Sequence, residues 1–193
     1  MSLEINVYAE KLSDELIPKI VKRLNEFDMD IEIHPNFSFE TQVGFLPFKF
    51  SFKNPHLEIL KNKKLISGFE IYIDNYDFEK EKKSLNPKLN FFEKILKKKK
   101  VEIEIAKPEI ENRLRNCKKV INFNWSSNDT FEMRFAGLTS SIITELTDGV
   151  CHFPSSDFWY ENKNIVVEAF KQIKEHESEI TENRIRYHEF EKW

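Results

Sequence analysis

Cys151 beside His152 has the residue types of a nucleophile and its base: a thiolate forms at neutral pH when an imidazole or positive charge stabilises it. Their adjacency argues against that use. Within a strand neighbouring side chains point to opposite faces, so Cys151 is expected to face the core and His152 to face out. A buried cysteine packing as a small hydrophobe is the stronger reading, and no catalytic residue is assigned. A small Cys/His-dependent hydrolase or transferase, with carboxylates from distant segments, stands as an alternative.

The other candidates for chemistry are dispersed. His34, His56, His152, His176 and His188 form no HxH or HExxH pattern, and Cys117 and Cys151 have no CxxC spacing, so neither a metal site nor a cofactor is expected. The 33 acidic residues single out no acid–base pair without a pocket to select them. Lys94 and Lys97 to Lys100, after Lys80, Lys82, Lys83 and Lys88, have the charge to contact phosphates, which gives a nucleic-acid-associated protein as a second alternative. Glu79, Glu81 and Glu93 interrupt that patch, and a net charge of −3 supplies no uniform field, so nucleic acid is not the expected partner.

Contact with another protein draws on different residues. Glu175, Glu177, Glu179, Glu182, Glu189 and Glu191 could steer a basic partner electrostatically, although Arg184 and Arg186 partly neutralise them and a solvated helix with internal charge pairs also accounts for them. Phe158, Trp159 and Tyr160 in a strand would place Trp159 on one face and the other two on the opposite face, leaving at least one aromatic near the surface as an interface anchor. The candidate partner-binding positions are His152, Asp157, Trp159, Glu175, Glu179 and Glu182.

These residues need elements to hold them. Leu3, Ile5 and Val7 alternate with Glu4, Asn6 and Tyr8 as in a half-buried strand, and a helix capped by Ser13 or opened by Pro18 follows with Ile20, Val21, Leu24 and Phe27 on one side. Strands are expected over Asp30 to His34, around Phe48, Phe50 and Phe52, and around Phe69, Ile71 and Ile73, with a short helix over Leu57 to Leu65. Asp77 to Lys100 reads as helical and divided at Asn86–Pro87, because proline disfavours helical geometry in its predecessor. Val101, Ile103 and Ile105 suggest a strand; Pro108 to Cys117 a helix; Ile121, Phe123 and Trp125 a strand.

Phe131 to Leu146 is a helix with a broad apolar stripe, and Ala136, Gly137, Ser140 and Ser141 let a neighbour approach closely. Gly149 is placed to close it in the left-handed conformation, and Val150 to Phe153 makes a strand that Pro154 ends. A last core helix carries Ile165, Val166, Ala169, Phe170 and Ile173, with Glu175 to Trp193 either extending it or fraying. The expected class is α+β, a mixed, largely antiparallel sheet packed with amphipathic helices.

At 193 residues one globular domain is the default, with a subdivision near 97–100 as the competing division. The 18 Phe residues supply large apolar payloads for one core, and four Gly are too few for a loop-rich chain. Two unpaired cysteines, no signal-peptide pattern and no apolar run of membrane-spanning length point to the cytoplasm and to no membrane association.

The segment ITELTDGVCHFPSSDFWY resembles a pattern found in several bacterial immunity proteins of toxin–immunity systems. There a helix ends in a Thr-x-Gly-like stop, enters a short apolar strand, turns near a proline and continues into aromatics. The likeness covers Thr139 to Tyr160, aided by Gly68 to Glu70, and departs at Phe153-Pro154-Ser155, where an Asp-Pro turn would match more closely. It implies a cytoplasmic binding protein that neutralises a cognate bacterial toxin by occlusion, without cofactor or turnover.

Overall fold

Alternating apolar residues become one antiparallel sheet in the computed structural model, which describes residues 3–86, 103–126, 128–160 and 164–193. The strands are β1 (Leu3–Ala9), β2 (Met29–Ile33), β3 (Gly44–Phe52), β4 (Leu65–Asn75), β5 (Lys119–Trp125), β6 (Val150–Phe153), β7 (Phe158–Tyr160) and β8 (His188–Glu189). Their order is β2-β3-β4-β5-β1-β6-β7, with β8 added to the start of β4. Among the described residues five α-helices join them: α1 (Ile17–Leu24), α2 (Phe78–Leu85), α3 (Pro108–Leu114), α4 (Glu132–Thr147) and α5 (Ile165–Ser178). The class is α+β, as the residue pattern anticipates.

The first strand of the chain lies inside the sheet, between β5 and β6, and both its faces meet apolar residues. On one face Ile5 and Val7 join the main core, where α1, α4 and α5 pack. Phe48 and Phe50 from β3 meet Phe135 of α4 there, with ring centroids 4.8 and 4.9 Å apart. Each such ring removes roughly 150–250 Å² from water, which is why the phenylalanine-rich strands and α4 dominate this core. On the other face Tyr8 joins a smaller cluster with Tyr76, Phe78, Ile110, Leu114 and Val150, brought by α2 and α3.

Several expectations are corrected. Leu57 to Leu65 makes only a 3-10 turn at Glu58–Leu60, because Leu65 already pairs with Phe50 in the sheet. Ile103 and Ile105 form no strand; the side chain of Asn86 bonds the Ile103 amide at 2.7 Å and its carbonyl at 2.8 Å, taking the groups a ladder would use. The helix from Pro108 ends at Leu114, three residues before Cys117. Asp148, not Gly149, takes the left-handed conformation after α4, at φ 48°. Ser13 makes no side-chain cap; Pro18 does sit in the first turn of α1. The chain after Ser178 neither extends α5 nor frays throughout, since His188 and Glu189 pair with Ile66 and Leu65. Helix α2 ends at Leu85 with Asn86 as its cap, while Val101 and the possible division at 97–100 lie outside the described residues.

Candidate functional site

The sheet face opposite α1, α4 and α5 is covered by α2 and α3 at the Tyr8–Val150 end and is more open beyond it. Strand register decides what that open part displays. Tyr72, Asn122, Asn6, His152 and Trp159 lie side by side across β4, β5, β1, β6 and β7. The next row carries Phe45, Glu70, Asn124 and Glu4. Phe45 is 52% and Tyr72 37% exposed, so large side chains reach solvent on this face.

Several of these side chains are held in place by contacts within the chain. The His152 ring stacks on Trp159, centroids 3.9 Å apart and planes 12° from parallel. Its Nε2 lies 3.2 Å from Oδ1 of Asp157, which the 3-10 turn at Pro154–Ser156 and a left-handed backbone at φ 48° bring back beside β6. Trp159 also stacks against Tyr8 at 5.9 Å, tying the display to the smaller core. Asn122 donates through Nδ2 to Oδ1 of Asn6, joining β5 to β1 on the same row.

Three of the six anticipated positions, His152, Asp157 and Trp159, therefore come together. Glu175, Glu179 and Glu182 do not join them: they are exposed at and beyond the end of α5, on the helix-covered side of the sheet. Glu175 faces Lys171 at 3.9 Å, the kind of helix pair that accounts for a solvated surface. Glu177, grouped with them by sequence, is buried against Arg134 instead. Trp159 is half-buried within its stacks, and the most exposed aromatic of β7 is Phe158, at 53%.

The Cys151–His152 pair divides across the sheet, as strand alternation requires. Cys151 is 1% exposed in the main core, and burial pushes its thiol up to about 12, only partly opposed by the Thr144 hydroxyl. That thiol is a poor nucleophile near neutral pH, and His152 is engaged on the far face. Burial likewise pushes Cys117 up to about 11. Among the described residues no three His, Cys, Asp or Glu side chains gather as a metal site, and no helix is long and apolar enough to cross a membrane.

Of the lysines considered for phosphate contact, Lys82 pairs with Glu111 at 2.8 Å and Lys80 and Lys83 are exposed. Lys88, Lys94 and Lys97 to Lys100 lie outside the described residues. Sequence reasoning missed Glu4, Asn6, Glu70, Tyr72, Asn122 and Asn124 as companions of His152. Alternation within each strand signals their face; only the pairing register makes them neighbours. Comparison of the chain with family models, with curated proteins and with solved structures returns no match.

Proposed function

We propose that this chain is a binding protein of the immunity type, which neutralises a cognate bacterial toxin in the cytoplasm by covering it through the open sheet face. The observation that carries the reading is the ordered row ending in the His152–Trp159 stack, with Asp157 fixed against His152. Rigid, amphipathic side chains of this kind supply contact area with little rotamer entropy left to lose. Glu4, Glu70 and Asp157 give the face an acidic character suited to a basic partner surface. The segment that resembles immunity proteins is also the segment that builds β6, the turn and β7.

The test is co-expression with the product of the adjacent gene. A stable complex on copurification and relief of growth arrest are the expected outcomes. If the two proteins neither copurify nor protect the cell, the immunity reading is wrong.

A further inference from the structure

Between the sheet and the helix layer lies a cavity of about 330 Å³, beside β6 and β7 and on the opposite side of those strands from the His152–Trp159 stack. Its inner wall is made by Ile5 and Cys151 from the sheet and by Gly137, Ser141, Ala169 and Ile173 from the helices. The space exists because three of those helical positions are small. Trp125, Phe153 and Tyr160 add aromatic walls, and Phe158, 53% exposed, stands on the side nearest solvent.

Two independent features give this space the character of a binding site. Preformed ligand pockets commonly occupy about 300–1,000 Å³ and combine apolar and aromatic walls with a few polar groups. Of the polar side chains at its walls, Ser140, Ser156, Tyr160 and Gln172 among them, the one that is buried and without a hydrogen bond is Ser141. It is 4% exposed, and its hydroxyl makes no hydrogen bond among the described residues. Its neighbours behave differently: Ser140 donates to the Gly137 carbonyl at 3.1 Å and Thr144 to the Ser140 carbonyl at 2.8 Å. Ser141 thus keeps a hydroxyl available on the largely apolar inner wall.

The chemistry of the walls narrows the ligand. Among the described residues no charged side chain lines the cavity, so an ionised ligand would lose hydration without compensation. The volume is about twice the ~150 Å³ in which an apolar cavity accommodates benzene, which suits two fused rings. Aromatic walls favour a flat ring system through edge and offset contacts. We propose that this cavity binds a small, uncharged, bicyclic aromatic molecule with one N–H or O–H group, which Ser141 engages. This site does not depend on the protein-binding role of the opposite face.

Indole and its isostere indene, which lacks the N–H, are the probes, followed by amide chemical shifts of the labelled protein. Indole is expected to give saturable shifts confined to the cavity walls. Ser141→Ala should weaken indole about three- to tenfold and leave indene unchanged, the size of effect one hydrogen bond produces. Ala169→Phe should fill the space and abolish both; Ala169→Leu, a smaller filler, serves if the first variant loses its native spectrum. The absence of saturable shifts with either probe, or undiminished binding to a folded filler variant, overturns the site. Equal weakening of indole and indene by Ser141→Ala overturns the hydrogen bond.

Discussion

Arg134 of α4 and Glu177 of α5 form a buried bidentate ion pair, with Nε···Oε1 and Nη2···Oε2 both at 2.7 Å. The remaining Arg134 nitrogen donates to the Phe27 carbonyl at 3.1 Å, and the guanidinium lies over Phe52 and Phe170 at 5.0 and 5.7 Å. Two helices and the turn between α1 and β2 are thereby fixed to one another. Removing one partner leaves a buried charge uncompensated, so Glu177→Ala should cost about 3–5 kcal/mol. Replacing both with apolar residues, Arg134→Met with Glu177→Leu, should restore most of that loss. Urea denaturation of the two single variants and the double variant checks the coupling; additive losses would show that the pair does not act as a unit.

Asp129 has the opposite electrostatic problem. Its Oδ1 accepts the Ser67 hydroxyl at 2.8 Å and the Phe131 amide at 2.7 Å, while Oδ2 is buried without a hydrogen-bond partner among the described residues. Burial pushes this carboxyl above its ordinary value of 3.8, and the two hydrogen bonds only partly counter it. The folded chain therefore holds the proton more tightly than the unfolded chain. Stability contributed by the protonated acid is lost as pH rises from 3.8 through the raised native value. Asp129→Asn retains an oxygen for Ser67 and Phe131 but does not titrate. The stability of the wild type minus that of the variant should fall across this window; a difference independent of pH would refute the assignment.

Asp148 and Gly149 exchange the roles that the helix-stop pattern suggests. Asp148 takes the left-handed geometry, and Gly149 is needed for space: a Cβ there would lie 2.6 Å from the Tyr8 carbonyl oxygen and 2.8 Å from Thr147 Oγ1. Since the Tyr8 oxygen belongs to an interior strand, it has little freedom to retreat. Gly149→Ala should destabilise by roughly 1–3 kcal/mol, as overpacking does. Asp148→Gly should change stability by less than about 1 kcal/mol, because relief of the left-handed conformation offsets the added freedom of the unfolded chain. Denaturant midpoints of the two variants would reverse order if Gly149 were required for its conformation alone.

The contrast at this helix end shows what was legible in the sequence. A glycine after an apolar stripe marks the stop correctly, but only the proximity of β1 reveals why glycine is there. Alternation in Leu3–Val7 and Ile121–Trp125 likewise gives the strands and their faces, while the pairing of Asn6 with Asn122 depends on a register between segments far apart in the chain. Ile103 and Ile105 have the spacing of a strand, yet the distant Asn86 amide occupies Ile103. Glu177 carries a signal that was available: it continues the helical stripe of Val166, Phe170 and Ile173 into the core, which distinguishes it from the solvated glutamates around it.

Trp159 and Phe158 provide an internal test of which face meets a partner, because adjacent positions on β7 point to opposite sides of the sheet. With a cognate toxin as the binding partner, Trp159→Ala should weaken the complex by about 2 kcal/mol or more, the scale of an interface anchor. Phe158→Ala should change affinity little despite the greater exposure of that ring. The paired reversal Glu4→Lys with Glu70→Lys should slow association and reduce its sensitivity to salt, since it removes attraction to a basic surface. Association and dissociation rates at low and high ionic strength separate these effects, with thermal melting confirming that each variant remains folded. If Trp159→Ala is neutral and Glu175→Ala, Glu179→Ala or Glu182→Ala carries the loss, binding occurs at the end of α5 and the open sheet face is not the contact surface.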